Sequence, residues 1–368
     1  MLDSPRNPAS FFVLGSCNKS VIVHLTLFIP DLLSSPGTEA LVAGSDPAPA
    51  LGRILGRGEV LCFPEIDSET WQCQAFEVEP REDWPVAPLT AAVDGLPAES
   101  GWWLRADPVH LQLQRNHTRL LAAPALTLDA QEAATLASAL NAHFSEEGLE
   151  LLTPHPLRWY IRLEEAPGLA APMPSALAGR PLPPNALSGA RASHWHRVLT
   201  EAQMLLHDHP LNQAREARGL PPVNSLLLWG GGRKPAVPGR HFSQIWSDDP
   251  LAIALAVQAG AEHQNAPASA ALWFGQRPGA SDRHLLILDR AHLALRYEGP
   301  EAWLRVLSAL DERWFAPLYG TLGHRDLDEL VIVATGPGQC LRCTLRPVDR
   351  LKFWRRPRPL SIPATPDA

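Results

Sequence analysis

The stretch Leu206-His207-Asp208-His209-Pro210-Leu211-Asn212-Gln213-Ala214-Arg215-Glu216-Ala217-Arg218-Gly219-Leu220-Pro221-Pro222-Val223-Asn224-Ser225-Leu226-Leu227-Leu228-Trp229-Gly230-Gly231-Gly232 decides how this chain is read. Pro210 opens a short helix, because its fixed φ suits a first turn and its missing N–H would have had no helical partner, and Gly219 closes it. That helix carries Asn212, Arg215 and Arg218. Ser225 to Trp229 then forms an apolar run of buried-strand length that enters three glycines. A strand-to-glycine junction brings backbone donors close to an anion, and Arg215 suits bidentate contact with a phosphate or carboxylate. A tight structural turn uses the same residues equally well, and spacing leaves both readings open. The glycines are not a Walker loop, since the Lys-Ser/Thr pair and its glycine spacing are missing.

Upstream, Trp195, Val198, Leu199, Ala202, Leu205 and Leu206 recur at helical spacing and predict a helix over Ser193 to His207. His194, His196, His207 and His209 make no metal set, because the first two fall on different helix faces and no His-Glu-x-x-His motif exists. Asp129 and Glu132 stand in capping-box spacing ahead of an alanine- and leucine-rich helix. Strands at Leu149 to Leu152 and Leu157 to Leu163 follow, and the Ala, Pro and Gly-rich stretch Ala166 to Pro184 bounds this α+β unit. The aromatic-rich strand beginning Trp102-Trp103-Leu104 is expected to end near Arg105, with Pro108 breaking regular structure at Asp107. Arg105 and Asp107 are therefore strand-end candidates for a polar site, with a turn cap as the alternative for Asp107.

Downstream, Leu251 to Ala259 reads as a helix, Ala271 to Trp273 as a short strand and Leu285 to Asp289 as a buried strand. A helix from Pro300 to Phe315 precedes a strand pair, Leu330 to Ala334 and Gln339 to Leu345. Strands separated by helices predict an α/β fold with a covered, mostly parallel sheet and an antiparallel edge. The five cysteines leave at least one unpaired. Cys340 and Cys343 have C-x-x-C spacing, yet alternation makes them apolar strand residues.

The formal charge of -7 gives no general attraction to nucleic acid or anionic lipid. The run Lys352-Phe353-Trp354-Arg355-Arg356-Pro357-Arg358 opposes that average, and reads as a solvated tail or as a local phosphate, membrane or nucleic-acid contact. Val21 to Ile29 is too short to span a bilayer and lacks a clear signal-peptide layout. Residues 1–35 are taken as an extension and the cytoplasm as the location.

The residues Asp208-His209-Pro210, Asn212, Arg215, Gly219, Pro222, Asn224, Trp229-Gly230 and Gly232 resemble a pattern of the archaeal-type cofactor-independent phosphoglycerate mutases of the alkaline-phosphatase superfamily. Leu182-Pro183-Pro184-Asn185 and Trp103-Leu104-Arg105-Ala106-Asp107 resemble further segments of that family. The resemblance implies an alkaline-phosphatase-like sheet with an inserted α+β domain. It also implies a phosphorylatable serine between two divalent metals held by Asp and His. The matching family opens with a strand ending in Asp-Gly, and no such opening is read here. Ser45 does not fit the nucleophile, because Asp46-Pro47 follows it and no such strand precedes it. Ala334-Thr335-Gly336-Pro337 stands where a late strand should end in Asp-His. Retained centre and degenerate ends together resemble bacterial regulatory proteins of the RpfE type.

The expected organisation is an extension over 1–35, a core over 36–104 and 185–350, an inserted domain over 105–184 and a tail over 351–368. The expected function is a non-catalytic regulatory protein that binds a small phosphorylated or carboxylated metabolite, or a protein partner. Arg105, Asp107, Asn212, Arg215 and Asn224 would form its polar pocket, with no catalytic residue, metal or cofactor. An active metal-dependent phosphomutase or phosphatase is the alternative, with Asp208, His209, Asp289 and His292 as its least poor ligands. A structural or protein-interaction role is the third reading.

Overall fold

The computed structural model describes residues 23–33, 46–115, 118–121, 126–183, 185–238, 241–276, 283–294, 298–323, 327–358 and 360. Its strands are β1 (His24–Ile29), β2 (Glu59–Phe63), β3 (Trp102–Leu113), β4 (Thr118–Leu121), β5 (Glu150–His155), β6 (Arg158–Leu163), β7 (Ser225–Gly232), β8 (Gln244–Trp246), β9 (Glu262–Gln264), β10 (Arg283–Ile287), β11 (Glu329–Gly336) and β12 (Gln339–Leu345). One seven-stranded sheet has the order β2-β12-β11-β1-β10-β8-β9. Its strands from β11 to β9 are parallel, and β12 and β2 add the antiparallel edge. The predicted α/β class and mostly parallel sheet are what the chain adopts.

Both faces of this sheet are covered, which explains the near-continuous apolar strands. Leu25, Leu27 and Ile29 of β1 pack with Leu286, Ile332 and Leu341 against the helices Pro49–Arg57, Pro300–Leu310 and Ala316–Thr321. Phe28, Leu285 and Val331 face the opposite way, toward the helices Ser68–Ala75, Val86–Val93 and Pro250–Ala259. Trp303 and Trp314 belong to the first of these cores and are buried.

A second, five-stranded antiparallel sheet joins β7, β3, β6 and β5, with β4 on the far end of β3. The helices Ala130–Phe144 and Ala192–His207 cover one face through Leu136, Leu140, Trp195 and Val198. The predicted capping box is present: Asp129 accepts from the Glu132 N–H and Glu132 accepts from the Asp129 N–H. Helix Val86–Val93 lies between the sheets, buried at Val86 through Ala91. Ala87 and Ala91 meet Trp103 and Tyr160, while Val86 and Leu89 join the core of the larger sheet. A helix apolar nearly all round is one with neighbours on every side.

Several expectations change. Residues 24–29, placed in the extension, form the central strand. β3 runs through Pro108 because the pre-proline bias favours extended backbone; the Val109 carbonyl accepts from the Asn224 N–H on the β7 side, so the Pro108 nitrogen faces the other side, where neither β4 nor β6 pairs at that position. β7, assigned to the core, pairs with β3 in the second sheet. Ala270–Gln276 is a helix rather than a strand. The described part of the tail is docked: the Arg358 N–H donates to the Gly52 carbonyl at 2.9 Å. Ser45 and Pro184 lie outside the described residues.

Candidate functional site

The central sequence motif is locked into internal bonds. Helix Pro210–Ala217 forms as predicted, and Gly219 ends it at φ +73. Asn212 is buried and donates to the carbonyls of Leu206 and Val223, both at 2.7 Å, while accepting from the Val223 N–H. Asn224 brackets Leu111, accepting its N–H at 2.7 Å and donating to its carbonyl at 3.0 Å. Arg215 is fully buried, pairs with Glu132 and donates to the carbonyls of Pro221 and Leu126. The glycine junction does meet an anion, but an internal one: Asp83 accepts from the N–H groups of Gly230 at 3.1 Å and Gly231 at 3.3 Å. Burial raises the Asp83 carboxyl to about 6, against the lowering effect of those bonds.

Arg105 and Asp107 sit elsewhere, on the wall of β3 that faces the larger sheet. The pair is bidentate, with Nε at 2.9 Å and Nη2 at 2.8 Å from the carboxylate. The guanidinium lies 5.0 Å from the Tyr160 ring centre and 4.9 Å from that of Trp229. Trp229 Nε1 donates to Asp107 at 2.8 Å, and Arg105 Nη1 to Thr90 at 3.2 Å. Beside them a hollow of about 320 Å³ is lined by His155, Arg158, Glu69 and Asp249 as well. Arg158 holds Asp94 through Nε and Nη2. Burial, then Arg158, depresses the His155 imidazole.

A second hollow of about 290 Å³ opens at the carboxyl ends of β1 and β11, where open α/β sheets take their ligands. Asp31, His292 and Thr335 line it from the sheet, and Asp67, Ser68, Ser175 and Arg180 from the opposite wall. Asp31 holds φ +53, an uncommon conformation that Asp tolerates better than most residues. Its carboxylate meets His292 Nδ1 at 2.6 Å, its N–H donates to Thr335 Oγ1 at 3.1 Å, and its carbonyl accepts from Trp303 Nε1 at 3.2 Å. Glu69 joins the two hollows: it lines the first, and its carboxylate accepts both the N–H and the O–H of Ser175. Burial, then the Asp67 charge, raises its carboxyl to about 7. Asp289, just past β10, is likewise raised, by burial and by Asp249.

Asp31 was missed in the sequence because Pro30 separates it from the strand and no glycine follows. Its signal was the apolar run ending at Ile29. Ser68, the first residue of its helix, stands in no motif that marks it in the sequence. Among the described residues a two-metal donor set does not assemble around them. Gly336 has no side chain, and a Cβ there would fall 2.5 Å from Leu33 Cβ. Among the described residues no three His, Cys, Asp or Glu side chains are grouped to hold a metal. Asp208 and His209 cap the helices 192–207 and 210–217, and neither lines the cleft.

No family model matches the chain. A 2,3-bisphosphoglycerate-independent phosphoglycerate mutase from Methanothrix thermoacetophila is 34% identical over 68 residues, which is 18% of this chain and 17% of that protein. Among solved structures, the PH0037 protein from Pyrococcus horikoshii superposes with a TM-score of 0.56 at 15% identity, over 91% of this chain and 90% of that one. A cofactor-independent phosphoglycerate mutase from Thermoplasma acidophilum gives a TM-score of 0.45 at 16% identity over 88% and 90%. The chain therefore has an alkaline-phosphatase-like fold with an inserted α+β unit, and a distant, short sequence relation to the cofactor-independent phosphoglycerate mutases.

Proposed function

We propose that the chain is a non-catalytic, cytoplasmic regulatory protein of the RpfE type that binds a small phosphorylated or carboxylated acid in the cleft between its two sheets. The observation that carries this reading is the end of β11. Thr335 Oγ1 accepts from the Asp31 N–H, and Gly336 is pressed against Leu33, so the position where a two-metal enzyme needs Asp-His offers neither a carboxylate nor an imidazole. The cleft itself is kept. Its two ends differ in their cations: at the sheet edge Arg180 is paired with Glu65 beside Asp31 and Asp67, whereas at the other end Arg158 stands with the Arg105–Asp107 pair, beside Glu69 and Asp249. An acid group is placed against Arg158, whose bonds to Asp94 use Nε and Nη2 and leave Nη1 for a ligand. The hydroxyl-bearing remainder points toward Ser175 and Ser68.

Titration calorimetry with the phosphoglycerates tests this. Saturable binding that Arg158→Ala weakens at least about tenfold is expected, in line with a charge-assisted hydrogen bond of roughly 1.5–3 kcal/mol. Heats no larger than those of dilution would sink it. One arrangement favours an active phosphomutase or phosphatase instead, since Ser68 shares a cavity with Asp31 and His292. Elemental analysis separates the two. Two tightly held divalent ions per chain, with turnover that Ser68→Ala abolishes, would establish the enzyme.

A further inference from the structure

The segment after β12 presents an amphipathic surface that the cleft does not use. Phe353 is 78% exposed, Trp354 68%, Leu351 67% and Val348 63%. These side chains stand on a bonded scaffold. The Phe353 N–H donates to the Leu351 carbonyl at 2.8 Å, the Arg355 N–H to the Lys352 carbonyl at 3.1 Å, and the Arg358 N–H to Gly52 at 2.9 Å. Gly56 allows the chain to lie flush on its helix, since a Cβ there would come within 2.3 Å of the Arg356 carbonyl oxygen. Arg355, Arg356 and Arg358 flank the apolar group and are exposed. Asp349, the acidic residue of this segment, is already occupied by Lys352 Nζ at 2.6 Å and by the Arg346 N–H at 2.8 Å.

We infer that residues 347–358 dock the protein peripherally on an anionic lipid surface. Trp354, Phe353 and Leu351 enter the boundary between headgroups and acyl chains, and Arg355, Arg356 and Arg358 meet lipid phosphates. Charge complementarity selects this occupant. A second copy would set one basic patch against another. A nucleic-acid strand would find Phe353 and Trp354 edge to face at 80°, with no parallel platform for successive bases, and would leave Val348 and Leu351 without a role. The overall charge of -7 does not oppose the contact, because at physiological ionic strength charges more than about 8 Å from the lipid are largely screened.

Co-sedimentation of the full chain with vesicles is the test. Phosphatidylcholine vesicles carrying phosphatidylglycerol are expected to bind it and vesicles of phosphatidylcholine alone to leave it in solution. Each of Arg355→Gln and Arg356→Gln should weaken partition about fivefold, and Trp354→Ser with Phe353→Ser should abolish it while the melting temperature stays unchanged. No sedimentation of the wild-type chain with the anionic vesicles, or equal sedimentation of the double variant, overturns the inference. So does capture by a single-stranded oligonucleotide without vesicle binding.

Discussion

The guanidinium of Arg215 is sealed from solvent against the carboxylate of Glu132, which lies in the capping box of another helix and also holds Arg218 at 2.9 Å. One carboxylate thus caps its own helix and neutralises the buried charge of the motif helix. Arg215→Met leaves Glu132 and the Leu126 and Pro221 carbonyls without that partner, and a loss of about 3–5 kcal/mol in urea unfolding is expected. Unchanged stability in that variant would return Arg215 to the pool of ligand candidates.

The glycines of the motif differ in why they are needed. At Gly232 a Cβ would lie 2.6 Å from Pro85 Cβ and 3.0 Å from Pro85 Cα, so Gly232→Ala must move the loop before helix 86–93 at a cost of about 1–3 kcal/mol. Gly219 has open space but φ +73, and Gly219→Ala should cost only about 1–2 kcal/mol, from backbone strain. Denaturation midpoints of the two variants decide the order.

Glu69 at about 7 and Asp83 at about 6 are both raised by burial above their ordinary values of 4.5 and 3.8. A carboxyl raised in the folded state binds its proton more tightly there than in the unfolded chain. Its stabilising contribution is full below the unfolded value and lost as pH rises through the folded one. These two groups therefore make the fold more stable as pH falls from about 8 toward 5. Melting temperatures across that window should show the rise in the parent chain and a flatter profile in Glu69→Gln, with the difference setting in as pH falls below about 7.

Trp229→Phe keeps the ring beside Arg105 and deletes the donor to Asp107. A carboxylate losing one charge-assisted hydrogen bond costs about 1.5–3 kcal/mol. Thermal unfolding should register that loss, and the near-ultraviolet signal of the inter-sheet aromatics should persist.

How far the sequence reaches depends on range. The capping box at Asp129 and Glu132, the helix between Pro210 and Gly219, and the apolar strands β7, β10 and β11 follow from neighbours within a few residues, and each formed where predicted. Ala270–Gln276 was misread because so short an apolar run carries no period of its own. The five proposed pocket residues did not converge: Arg105 and Asp107 line the cleft, while Asn212, Arg215 and Asn224 serve backbone groups and Glu132 behind β7.

By itself the sequence determined the α/β class, the mostly parallel sheet and the local caps, since periodicity and turn chemistry are short-range. Tertiary structure alone decided which polar groups are spent and which face a cavity. Asp83 fills the glycine junction, Glu132 takes Arg215, and Asp31 reaches His292 only because β1 lies beside β10, which leads to His292. A buried donor or charge must be paired, and its partner is fixed by packing between segments far apart in the chain.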